Sequence, residues 1–264
     1  MGDHAVDAGE DGMSQLAFLG QFGDAIQFIF EGETSQEGAE IGGWQFVELT
    51  WEHVKLSLAA MAIACLISVP IGLWLGHIRR FSFVAISASN VGRAVPSLAL
   101  IAFFVAYLGV GFTNLTLALV LLAIPPILSN TFAGVQNVSP AVRDAAFGMG
   151  MTGRQTLLRV ELPNALPLIF SGFRSATLQV IATATIASYV TLGGLGRFIY
   201  DGLAQQDFPQ MISGGLLVAL LALVADLLLA TVQRYTVSRG ITGRHGGSDS
   251  RVAALTEEMV SEST

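Results

Sequence analysis

The feature that most constrains this chain is a series of long apolar runs. Two of them, Leu56 to Gly76 and Met211 to Val232, carry a single charge between them, Asp226. A hydrocarbon core about 30 Å thick needs about 20 apolar helical residues to cross it. Within lipid every backbone N–H and C=O must be satisfied internally, so such runs become helices. Of the 264 residues, 52% are hydrophobic and 12% charged, with mean hydropathy +0.62, which excludes an ordinary soluble domain. The expected fold is all-α: a polytopic membrane helix bundle.

Basic residues order the spans. His77, Arg79 and Arg80 follow the first run, so the positive-inside rule puts that end in the cytoplasm and the acidic leader outside. A second span is expected from Phe83 to about Leu108, interrupted by Pro96, and a third from Leu115 to about Phe132 with Pro125 and Pro126 in it. A loop with Arg143, Arg154 and Arg159 is again inside. A fourth span runs from Ala165 to about Leu192 and an external loop, GGLGRFIYDGLAQQDFPQ, follows. The fifth, Met211 to Val232, ends in Arg234, Arg239, Arg244 and Arg251. This gives about five transmembrane helices, N-terminus out and C-terminus in.

Three segments follow: an acidic polar leader over 1–50, a transmembrane domain over 52–235, and a disordered cytoplasmic tail over 240–264 that is rich in Gly, Ser and Glu. More than half of the 20 acidic residues precede Lys55, so the net charge of −7 reports topology rather than a basic ligand. The first residues lack the positive and then apolar order of a cleavable signal peptide. Leu16 to Phe30, with Gln21, Asp24 and Gln27 scattered through it, reads as an interfacial helix. Trp44 and Trp51 mark where the chain meets the headgroups.

The one long polar interval inside the apolar part is Asp144 to Pro163, DAAFGMGMTGRQTLLRVELP. Ser139 can cap a first short helix with Pro140 at its first position, and Gly150 ends it. Thr152 stands three residues before Gln155, a capping-box spacing that starts a second helix, which is expected to stop before Pro163. Helix, bend, helix and stop make a shaped docking element.

Read as a pattern, Asp144, Ala145, Ala146, three residues, Gly150, nine residues, Val160, Glu161, Leu162, Pro163 resembles the E-A-A-x3-G-x9-I-x-L-P loop of binding-protein-dependent ABC importer permeases. The departures, Asp144 for Glu and Val160 for Ile, keep charge and branching. NVGRAVPSLALIAFF, PPILSNTFAGV and GGLGRFIYDGL are similar to the subgroup that imports quaternary amines such as glycine betaine, choline, carnitine and proline betaine. The resemblance implies a permease subunit, not an enzyme, working with ABC ATPase subunits, a second permease chain (identical or paralogous) and an extracytoplasmic substrate-binding protein in the cytoplasmic membrane of a prokaryote. It also implies that Asp144, Ala145, Ala146, Gly150, Leu162 and Pro163 form the coupling loop, which fits a groove on the ATPase. No cofactor is expected on this chain; ATP would sit at the partner subunit, and no G-x-x-x-x-G-K-[ST] loop occurs here.

A charge at the centre of a membrane helix costs about 2.5 to 3.5 kcal/mol on insertion scales, so Arg93, Arg174 and Asp226 each need a partner or water. At 1.5 Å per residue, Arg174 lies roughly 14 Å and Asp226 roughly 12 Å from the cytoplasmic ends of their spans. The matched depths suggest a buried ion pair, which either holds two helices in register or takes part in gating. Arg93, with Asn90, Pro96 and Ser97, marks a proline-interrupted stretch that is a candidate pathway lining. Ser175, Thr177, Gln179, Thr183, Thr185, Ser188 and Thr191 suit hydrogen bonding between helices or a polar lumen.

Other chemistry is not signalled. His4, His53, His77 and His245 have no metal-ligand spacing, Cys65 reads as a buried thiol, and no basic and aromatic patch points to nucleic acid. The chain shows no aromatic cage for a trimethylammonium group, which belongs rather to the binding protein. The alternatives are a methionine or other amino-acid importer within the same class, and a passive channel or membrane scaffold outside it.

Overall fold

The computed structural model describes residues 20–30, 33–34, 40–41, 44–79, 83, 87, 90, 94–191 and 193–237. Arg93, the start of the leader and the tail from Gly240 lie outside them. A helix over 20–30 (α1) precedes a two-residue antiparallel pair, Glu33–Thr34 with Glu40–Ile41 (β1 and β2). The bundle follows: α2 (Trp44–Ile78), α3 (Ser97–Leu108), α4 (Phe112–Gln136), α5 (Pro140–Gly148), α6 (Gly153–Thr156), α7 (Leu162–Thr191), α8 (Gly196–Gln205) and α9 (Phe208–Thr236).

Among the described residues four helices are long and apolar enough to cross a membrane: α2, α4, the continuous helix Gly153–Ser188 and α9. In the second expected span, residues 83, 87, 90 and 94 are helical ahead of Pro96, and α3, 12 residues or about 18 Å, follows it. Pro96 stands at the break. It is the N-cap of α3, with extended backbone (φ −64°, ψ 121°), where its missing N–H costs no hydrogen bond.

Helices α2, α4 and α7 form the centre. Ala60 and Ala64 of α2, Leu119, Ala123 and Ile127 of α4, and Ala176, Val180 and Ala184 of α7 make one buried cluster, with Cys65 part-buried at its margin. Lipid is as apolar as a leucine side chain, so close packing rather than water exclusion holds such helices together, and alanine permits that approach. Glycine goes further at two crossings. A Cβ on Gly76 would lie 2.6 Å from Val135 Cβ, and one on Gly172 would lie 2.8 Å from Asn130 Cβ. The outer face of α2 is Leu58, Leu66, Ile71 and Trp74, a lipid-facing composition.

The loop expected to be external carries a helix of its own, α8, whose Phe198 meets Phe28 of α1 edge to face at 6.2 Å and joins Leu49 and Leu195 in a second cluster. Asp207 then caps α9 by accepting from the Gln210 N–H at 3.1 Å, with Pro209 in the first turn. The helix expected at Leu16 to Phe30 is described from Gly20 and turns Ala25 and Phe28 inward.

Candidate functional site

The segment from Pro140 to Glu161 forms a bent finger. Pro140 opens α5, although Ser139 makes no side-chain cap. The chain turns at Gly150, whose φ of +80° is open to glycine and strained for other residues. The capping box forms: Thr152 N–H donates to Gln155 Oε1 at 2.8 Å and Gln155 N–H donates to Thr152 Oγ1 at 3.4 Å.

The expected stop before Pro163 does not occur. A π turn over Leu157–Glu161 joins α6 to α7, with the Leu162 N–H donating to the Leu157 carbonyl, and the helix runs on through Pro163 and Pro167. Proline in a regular helix collides with the carbonyl four residues back. Widening the turn just before Pro163 relieves that clash and shifts the register by one residue. Leu162 and Pro163 thus belong to the root of α7 rather than to a free loop end.

The finger has two faces. Ala146, Thr156 and Glu161 are buried, whereas Val142, Phe147, Met149 and Leu158 are exposed, with Asp144 and Ala145 beside them. Clustered exposed apolar side chains with arginines nearby, here Arg154 and Arg159, are the composition of a docking surface.

Sequence reasoning missed what holds the finger. Glu161 is fully buried. Its Oε2 accepts from His77 Nδ1, at the end of α2, at 2.6 Å, and its Oε1 lies 2.8 Å from Arg143 Nε, a charge contact rather than an aligned hydrogen bond. Arg143 Nη2 donates to the His77 carbonyl at 3.2 Å, and Arg79 Nη2 donates to the Val138 carbonyl at 2.8 Å. The available signal was a lone acid in LLRVELP among basic residues at a membrane boundary.

Deeper in the bundle the structure brings Arg174 and Asp226 together. Nε donates to Oδ1 and Nη2 to Oδ2, both at 2.7 Å, a bidentate pair between α7 and α9. It is not buried as expected: the two side chains are 38% and 23% exposed within this chain. Beside it α7 exposes Ser171, Ser175 and Ala182. Two of the span-four hydroxyls bond within their own helix. Thr185 donates to the Ile181 carbonyl and Ser188 to the Ala184 carbonyl, one turn back on their own helix. A hydroxyl link between helices comes instead from α2, where Ser68 donates to the Ile124 carbonyl at 3.3 Å. Asn90 and Pro96 are exposed and Ser97 half-buried.

At the other end of the bundle a cavity of about 190 Å³ is lined by Glu52, His53, Lys55, Phe112, Ser188 and Gly194, among others. His53 Nε2 lies 3.1 Å from the Ile181 carbonyl and therefore donates, which leaves the buried Nδ1 without a protein partner. Among the described residues no group of three His, Cys, Asp or Glu side chains could hold a metal.

A polytopic helical bundle that projects a bent, apolar-faced finger from the basic end of its spans has the form of a membrane component built to dock a partner. Residues 68–239 match the family described as binding-protein-dependent transport system inner membrane component, and the chain belongs to that family, a multi-pass component of the cytoplasmic membrane. It is 34% identical over 204 residues (77% of this chain, 94% of the relative) to the glycine betaine/carnitine/choline transport system permease protein OpuCB of Bacillus subtilis (strain 168). It is 37% identical over 206 residues (78% and 94%) to the carnitine transport permease protein OpuCB of Listeria monocytogenes. It is 38% identical over 180 residues (67% and 76%) to the osmoprotectant import permease protein OsmY of Salmonella typhimurium. Among solved structures, a chain of the inward-facing MetNI methionine ABC transporter superposes with TM-score 0.64 at 20% identity, covering 74% of this chain and 97% of that one. At that identity the likeness shows the fold alone.

Proposed function

We propose that this chain is the permease subunit of an ATP-driven importer that moves a quaternary-amine osmoprotectant, of the glycine betaine, choline, carnitine or proline betaine type, across the cytoplasmic membrane. The observation that carries the reading is the relatedness, along most of the chain, to permeases named for glycine betaine, carnitine and choline. The likeness to the methionine transporter chain, at 20% identity, is one of fold and does not bear on the substrate.

ATP is bound and hydrolysed on a partner ABC ATPase, which receives the exposed face of the finger. Asp144, Ala145, Ala146 and Gly150 shape that face and bend, and Leu162 and Pro163 carry its displacement into α7. The solute arrives from an extracytoplasmic binding protein. A second permease chain, identical or paralogous, covers the side of α7 and α9 on which Arg174 and Asp226 are half-exposed, since a charged pair at that depth is not left against lipid. Asn90, Arg93, Pro96 and Ser97 are the candidate pathway lining.

Competition uptake decides the substrate. In proteoliposomes holding the complete transporter, uptake of radiolabelled glycine betaine is expected to fall with excess choline or carnitine and to be unaffected by methionine. Inhibition by methionine, with none by the quaternary amines, would overturn the assignment.

A further inference from the structure

We infer that Glu161 is the pin that makes the finger and α2 move as one body, and that His77 and Arg143 are the two halves of its socket. This rests on the reading above, that the finger receives motion from a partner ATPase, and adds which residues pass the motion on.

The observations are geometric. The finger joins the bundle covalently at two places only, through the turn after α4 and through the π turn into α7. Neither connection reaches α2, so α2 can follow the finger only through non-covalent contacts. Glu161 supplies that link from the π turn. The extra residue in that turn sets Glu161, rather than a neighbour, facing inward, where it is fully buried and bonded to His77 Nδ1 at 2.6 Å. The second arm closes a ring: Arg143, on α5, contacts the other carboxylate oxygen at 2.8 Å and donates to the His77 carbonyl at 3.2 Å. One acid thus ties together the last turn of α2, the first helix of the finger and the root of α7.

The fit around His77 is close. A Cβ on Gly153 would lie 3.2 Å from His77 Nε2, so the first residue of α6 covers the far edge of the ring. Carboxylate, imidazole and guanidinium are directional groups. With the carboxylate fully buried and its two partners mostly so, the hydrogen bonds at His77 fix orientation in a way that an apolar contact of the same size does not. A link that is meant to transmit displacement needs that stiffness. A contact needed for packing alone does not need charge.

Glu161 is therefore a positioning residue, and the test separates transmission from folding. The complete transporter, with its ATPase and binding protein, is reconstituted in proteoliposomes. ATP hydrolysis and uptake of radiolabelled glycine betaine are measured for the wild type, Glu161→Leu, Arg143→Gln and the conservative Arg143→Lys. Expected is a complex of normal composition in which Glu161→Leu and Arg143→Gln keep basal hydrolysis but lose about ten-fold in solute transported per ATP. Arg143→Lys, which keeps a cationic donor beside Glu161, is expected to recover most of the loss seen in Arg143→Gln. Wild-type coupling in Glu161→Leu, or loss of coupling in Arg143→Gln with no recovery in Arg143→Lys, would overturn the inference. Failure of every variant to assemble would overturn it too, because the cluster would then be a folding requirement. A wild-type complex that takes up no solute with ATP contradicts the proposed function instead, so the two failures are distinguishable.

Discussion

Arg174 and Asp226 are joined by two parallel hydrogen bonds of 2.7 Å, yet more than a third of the arginine side chain is uncovered by this chain. The pair bridges α7 to α9, and the most apolar stretch of α9 is otherwise unburied within the chain. Bidentate geometry fixes the relative rotation of the two helices, and the exposure makes the same pair part of an outer surface. Breaking one side leaves an unpaired charge inside the membrane, whereas removing both does not. Asp226→Leu is therefore expected to lower thermal stability and uptake more than the double variant Arg174→Leu with Asp226→Leu. Detergent thermal-shift and uptake measurements check this. A double variant worse than either single change would show that the charges act independently.

At Gly76 the constraint is space. A Cβ there would sit 2.6 Å from Val135 Cβ and 3.1 Å from the Phe132 carbonyl oxygen, both on α4. Gly76→Val is expected to push α2 and α4 apart at a cost of about 1 to 3 kcal/mol. The readout is a lowered unfolding midpoint of the purified chain. Gly215→Ala, where nothing lies within 4 Å of the added carbon, is the control and should be neutral or slightly stabilising.

At Gly150 the constraint is conformation. No atom lies within 4 Å of the Cβ position, but φ is +80°. Asparagine tolerates that region better than other residues do, and β-branched side chains tolerate it least. Gly150→Asn is expected to keep most of the transport per ATP, while Gly150→Val, straightening the finger, uncouples hydrolysis from uptake. Equal coupling in both variants would separate the bend from transmission.

The capping box gives a local test. Thr152→Ala removes the acceptor for the Gln155 N–H and is expected to cost about 1 kcal/mol of helix stability at the finger's tip. Hydrogen exchange over 152–157 should rise with little change elsewhere. A uniform rise across the bundle would mean that the finger's tip is not an independently opening unit.

What could be read from the sequence was what is local or set by depth. The apolar runs gave the helices α2, α4, α7 and α9, and the bend at Gly150 and the capping box at Thr152 followed from short-range rules. Two charges at equal depth identified Arg174 and Asp226. Their exposure was not legible, because it depends on which faces α7 and α9 turn to their neighbours. The stop at Pro163 failed for a physical reason: proline ends a regular helix, and the π turn before it is not regular. The Glu161 to His77 contact, 84 residues apart in sequence, depends on that same turn. Without its extra residue the acid would face elsewhere, so no pattern in LLRVELP alone could name its partner.

The central claim, that the finger is a lever worked from the cytoplasm by a partner, is tested most directly by side-specific labelling at its most exposed apolar residue. In a Cys65→Ser background, Met149→Cys should react with a membrane-impermeant maleimide only from the cytoplasmic side, and binding of the ATPase should protect it. Labelling from the external side, or equal labelling with and without the ATPase bound, would contradict it.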